Sequence, residues 1–183
     1  MKTLLCLAIV LAGCSAEAPD DEPLTDTIVV LNGDLPPTVT VRATTVEERE
    51  RELAARLATP VSGVRQEAIS VDPSCVGTSL WLYNKLVANQ STADRICFQG
   101  TGTTSLSNYF IGPSGADLGQ CPHSDLGCPT WDKMVRSYWP GIDGGKLKET
   151  TGTTCTIIFN PGDPNTDVKT GCRNEIDVVV LSS

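Results

Sequence analysis

Histidine is almost missing from this chain: His123 is the one copy in 183 residues. No two of the cysteines stand in a C-x-x-C spacing, so the usual structural zinc arrangements have no ligand set here. Lysine and arginine form no stripe or block, which argues against a nucleic-acid partner. Beyond the N-terminal dozen residues no apolar run approaches the ~20 needed to cross a bilayer as a helix. Aromatic residues make up 5% of the chain, a small inventory for a β-rich core.

Catalytic combinations are scarce as well. His123, Ser124 and Asp125 name the residue types of a hydrolytic triad, but triad members converge from separate regions and not from consecutive positions. They read as a surface loop. Gly100-Thr-Gly102 precedes no helical pattern, so it lacks the helix N-terminus of a phosphate cradle and reads as a β-turn. Asp163, Asp167, Glu175 and Asp177 show no paired spacing and read as solvated or cross-strand charges. Asn89-Gln-Ser91 matches a glycosylation sequon and carries no catalytic chemistry. The chain reads as a non-enzyme without cofactor.

What is present begins at the N-terminus. Lys2 supplies a positive n-region and Leu4 to Leu11 an h-region too short to span a membrane. Leu11-Ala12-Gly13-Cys14 follows and resembles the lipobox of bacterial lipoproteins, in which Cys14 carries the lipid after cleavage. An ordinary secretory signal cut among Ala12, Gly13, Ser15 and Ala16 is the alternative. Several acyl chains on Cys14 would anchor the protein stably. The expected division is 1–13 signal peptide, 14–26 acidic tether, 27–74 strand pair plus helix, and 75–183 β-domain. The charge of −8 is concentrated early: residues 15–41 hold six acids and no base, whereas 75–183 hold ten acids and eight bases. Acidity therefore marks a solvated spacer and not a binding face. Ser15 is not the aspartate that retains lipoproteins at the inner membrane, which points to the outer membrane, on its periplasmic or cell-surface face.

With Cys6 removed and Cys14 lipidated, six of eight cysteines remain: Cys75, Cys97, Cys121, Cys128, Cys155 and Cys172. An even number in an exported chain reads as disulfides. Fifteen connectivities are possible; proximity suggests Cys121–Cys128, Cys155–Cys172 and Cys75–Cys97.

Thr27–Leu31 and Thr38–Arg42 are β-prone runs separated by turn residues. Thr45-x-x-Glu48 is a capping box opening a helix over Val46–Ala58, with Val46, Leu53 and Leu57 on one side and Glu47–Arg51 and Glu52–Arg56 as i,i+4 pairs. So thin an apolar stripe predicts a solvated arm or a light packing element. From Cys75 onward short strands are expected at 79–83, 95–99, 134–139, 146–148, 154–159 and 176–181. Gly-, Pro- and Asp-rich turns separate them, a pattern that favours an all-β sandwich or barrel.

S-C-V-G-T-S-L-W-L-Y, R-I-C-F-Q-G-T-G-T-T-S-L and T-W-D-K-M-V-R-S-Y-W-P-G together resemble the βγ-crystallin Greek-key motif, and especially small secreted bacterial proteins of that fold that include metalloproteinase inhibitors. The resemblance covers roughly residues 75–149. It implies a Greek-key sandwich with Trp81, Tyr83, Trp131, Ser137 and Trp139 as fold residues. It also implies a calcium loop of pattern Asn/Asp-Asn/Asp-x-x-Ser/Thr-Ser, matched here by Asp132, Lys133, Arg136 and Ser137. Calcium takes six to eight oxygens, so two cationic side chains at ligand positions make this copy a degenerate site. The family's aromatic and glycine after the first tyrosine are also missing following Tyr83.

Two functions compete. One is a membrane-tethered envelope module, structural or binding, displaying a disulfide-braced β-domain. The other is a protease inhibitor using residues 111–130 as a braced loop, which Cys121–Cys128 would rigidify; a plain insertion between strands is the simpler account of that loop.

Overall fold

A computed structural model describes residues 24–58, 80–111, 130–141, 143–150, 155–173 and 175–182. These residues form nine strands and one α-helix: β1 Leu24–Asn32, β2 Leu35–Thr44, α1 Val46–Ala58, β3 Leu80–Tyr83, β4 Arg95–Ser105, β5 Ser137–Trp139, β6 Gly144–Lys148, β7 Thr156–Phe159, β8 Thr166–Asp167 and β9 Val178–Ser182. The β-rich class matches expectation. Among the described residues the strands form one continuous, curled sheet ordered β7-β6-β9-β4-β3-β5-β8, with the β1–β2 hairpin joined to β4.

β4 makes the curl. Its first half pairs with β3 from Arg95 to Phe98 and with β1 from Arg95 to Thr101, and its second half pairs with β9 from Gly102 to Ser105. Gly100-Thr-Gly102 lies at the changeover and is strand, not the expected turn. Gly100 has φ +79°, and a Cβ there would sit 2.1 Å from the Leu31 carbonyl oxygen. Only glycine lets β1 approach β4 so closely.

The alternation of side chains sorts the sheet into two faces. Val29, Leu82, Ile96, Phe98, Trp131 and Phe159 belong to the main core enclosed by the curl. Ile28, Trp81, Tyr83, Cys97 and Trp139 form a second cluster on the opposite face, with Leu53 of α1 packed against it. The boundary expected near residue 75 does not divide the sheet, because β1 runs parallel to β4 and is buried between it and β2. Nor does the tether reach residue 26, as β1 already begins at Leu24.

The capping box forms as read. Glu48 N–H donates to Thr45 Oγ1 at 3.2 Å and Thr45 N–H to Glu48 Oε2 at 3.1 Å. Of the expected apolar stripe, Leu53 packs on the sheet but Val46 and Leu57 are exposed, while Arg49 and Arg56 are the buried residues of α1. The expected strand 134–139 shortens to β5, and β8, two residues long, had no readable pattern.

Candidate functional site

The quoted tryptophan loop splits between the two faces. Trp131, 1% exposed, enters the main core, and its N–H donates to Tyr109 O at 2.9 Å. Lys133 adopts φ +62°, a left-handed position, and its N–H donates to Ile176 O at 2.9 Å. This turn therefore ties the core-facing tryptophan to the segment entering β9. Trp139 lies on the opposite face, in register with Trp81, with ring centroids 6.0 Å apart in an edge contact.

Ser137 is fully buried and spends its hydroxyl on structure. Its Oγ donates to Lys85 O at 2.7 Å and accepts from Gln90 Nε2 at 2.8 Å. Gln90 and Asn165 exchange amide hydrogen bonds at 2.9 and 2.5 Å, so one hydroxyl fastens the short 3-10 segment 87–92 to β5. Asp132 Oδ1 is buried with no hydrogen-bond partner among the described residues. One uncommitted carboxylate oxygen beside Lys133 and Arg136 falls well short of the oxygen shell calcium needs. The donor set does not fit the ion. Nor do three or more His, Cys, Asp or Glu side chains cluster anywhere among the described residues.

The chemically densest place is one the motifs did not mark. Asp26 on β1 is 2% exposed. Its Oδ1 accepts from Arg49 at 2.7 Å and from Arg95 Nε at 3.1 Å; its Oδ2 accepts from Arg42 Nη2 at 3.0 Å and from Arg95 Nη2. Glu52 bridges Arg42 at 2.6 Å and Arg95 at 2.7 Å. Three arginines from β2, α1 and β4 thus converge on a single carboxylate counted, from composition, as part of a solvated spacer. Asp26 alternates with Thr25 and Thr27 along β1, which places it on the Ile28 face, directly beside Arg95 in the parallel register.

Burial alone would raise the Asp26 pKa, but the charges of Arg95 and Arg49 and the hydrogen bonds from Arg95 and Arg42 bring it below the ordinary carboxylate value. Arg49 also donates to the carbonyls of Thr25, at 2.9 Å, and Ala93. Arg56 lies over both Trp81 (4.5 Å) and Trp139 (4.8 Å) and donates to Trp139 O at 3.2 Å. Burial lowers its pKa to about 10. Arg95 covers Trp81 at 4.4 Å. Burial pushes the neighbouring Tyr83 hydroxyl well above the usual phenol value, with the nearby Arg95 and Arg56 charges opposing the shift. Helix α1 is therefore held to the sheet by guanidinium contacts, each cation–π pair contributing about 0.5–2 kcal/mol, with Leu53 as its apolar contact to this cluster.

Cys155 and Cys172 form a disulfide with Cα atoms 5.4 Å apart, as proximity suggested, and Cys97 is also disulfide-bonded. Cys14, Cys75, Cys121 and Cys128 lie outside the described residues, as do His123-Ser124-Asp125 and all of the 111–130 loop except Ile111 and Thr130. Asp177 and Asp167, read as loose charges, are structural acceptors: Asp177 binds Thr150 N–H at 2.9 Å and its hydroxyl at 2.5 Å, and Asp167 accepts from Val87 N–H at 2.7 Å. No described helix is long and apolar enough to cross a membrane. No protein family, curated protein or solved structure matches the chain.

Proposed function

We propose that this chain is an exported, lipid-anchored envelope protein that displays a disulfide-braced β-domain in a structural or binding role, without catalysis. The observation that carries it is the state of the cysteines. Cys97, Cys155 and Cys172 are all disulfide-bonded, and persistent disulfides belong to oxidising compartments outside the cytosol. A lipobox ending in Cys14 supplies the route there and the attachment. β1 begins at Leu24, so residues 15–23 separate the anchor from the domain as its spacer. The outer membrane is its place, and the domain is a divergent βγ-crystallin-like Greek key whose calcium loop has become a packing corner. The commitments of these groups support a non-catalytic reading: the buried Asp26 and Ser137 and the half-buried Glu52 each spend oxygens on the fold.

Metabolic labelling with a radioactive fatty acid, combined with detergent-phase partition, tests the anchor. The wild-type chain takes label and enters the detergent phase, and Cys14→Ser does neither. Equal membrane attachment of the two would overturn the reading.

A further inference from the structure

The tether enters the fold in an unusual way. Nine residues, 15–23, separate Cys14 from Leu24, a span of at most about 35 Å fully extended. The chain then runs straight into β1, an interior strand and not an edge. β1 pairs with β4 in parallel through seven successive positions, from Asp26 opposite Arg95 to Asn32 opposite Thr101. A pull on the N-terminus, resisted through the far end of β4, acts along the strand axes. Sheet hydrogen bonds in that direction share the load across the whole seam, whereas a pull at one end across the seam breaks them in turn.

The polar cluster sits at the loaded end. Arg95, on β4, is gripped by two carboxylates from the N-terminal unit, Asp26 of β1 and Glu52 of α1. Arg49 of α1 closes on Asp26 from the same unit while also holding Ala93 O, on the approach to β4. Arg56 adds a carbonyl contact to Trp139 on β5. At the other end of the seam the Gly33 N–H of the hairpin turn donates to Thr101 O at 2.8 Å. Apart from Arg49–Asp26, these contacts cross from residues 24–58 to the rest of the sheet, and the Asp26–Arg95 pair is buried, where salt screens it little.

We propose that the β1–β4 seam is a mechanical clamp, locked by the Asp26–Arg95–Glu52 ion pairs, that holds the β-domain on its N-terminal tether under load. The source of the load rests on the anchored reading above. The clamp itself is a property of the fold and is measured without a membrane.

Single-molecule force spectroscopy on the full exported chain, made lipid-free by Cys14→Ser, tests it in two geometries. One handle is fixed at exposed Ser107, just past the end of β4. The other is placed either at the N-terminus, which shears the seam, or at exposed Asp34 in the hairpin turn, which peels it from the Asn32 end. At one constant force the wild-type chain should survive at least about tenfold longer in shear than in peeling, forced unfolding being governed by the unfolding rate. Asp26→Asn should shorten the shear lifetime by about tenfold or more and change the peeling lifetime by less than about threefold, because peeling starts at the far rungs. Equal wild-type lifetimes in the two geometries would overturn the clamp. So would an Asp26→Asn effect of the same factor in both, which is the mark of a group that merely stabilises the fold. Should Asp26→Asn not fold, the wild-type comparison decides alone. A lipidation failure at Cys14 leaves the force asymmetry intact, so the two readings fail separately.

Discussion

Asp26 shows how much can rest on one carboxylate. Taking a charge out of water costs several kcal/mol, and the cost is met only when partners supply matching charge and hydrogen bonds. Here Arg42, Arg49 and Arg95 supply both. Asp26→Asn keeps the shape and removes the charge, leaving the guanidinium groups of Arg49 and Arg95 buried beside a neutral amide. It should lower the unfolding free energy by about 3–5 kcal/mol, read from urea denaturation at neutral pH. The acid response follows from the lowered pKa. A carboxylate whose folded pKa lies below its unfolded value of 3.8 contributes stability that is fully present above that value and is lost as pH falls through the folded pKa. Melting temperatures measured from pH 6 down to pH 2 should therefore fall more steeply below pH 4 for the wild type than for Asp26→Asn, and parallel curves would refute the assignment. At Ser137 no effect of calcium is expected. With its hydroxyl committed to Lys85 and Gln90, millimolar calcium and chelator should give the same thermal midpoint.

At the scale of elements, β4 decides the architecture. Its bend depends on Gly100, whose φ of +79° and 2.1 Å clearance to Leu31 O exclude a methyl group. Gly100→Ala should cost more than about 2 kcal/mol through strain and loss of the β1 approach, and amide exchange should accelerate first along β1. Most strands were legible because Val, Ile, Trp and Tyr at alternating positions between turn residues describe a half-buried sheet. The capping box was legible for the same local reason. The β1–β4 pairing was not, since parallel register between segments nearly 70 residues apart leaves no mark in either. The docking face of α1 was misread because apolar periodicity ranks arginine as solvated. Arg49, Leu53 and Arg56 do recur at helical spacing, a signal visible only once buried guanidinium groups over tryptophan are allowed for. Leu24-Thr25-Asp26 extended the following strand's alternation, but its acidic neighbours made the segment look like spacer.

At the scale of the molecule, two modest apolar clusters and a sheet with few aromatics leave little margin, and covalent closure makes up part of it. The Cys155–Cys172 bridge closes a segment of sequence separation 17, joining the entry of β7 to the 3-10 turn after β8. Closing a loop of that size removes conformational freedom mainly from the unfolded chain and contributes about 3 kcal/mol. Paired replacement, Cys155→Ala with Cys172→Ala, should lower the unfolding free energy by about that amount. The two states contribute differently to the loss. If the unfolded chain is the source, releasing the loop exposes more surface on unfolding and the urea m-value rises. If packing of the buried Cys155, 1% exposed, is the source, stability falls while the m-value stays at the wild-type level. Because the bridge spans a segment poor in buried apolar side chains, the rise in m-value is the expected outcome, and its absence would move the stabilising role from the crosslink to the core.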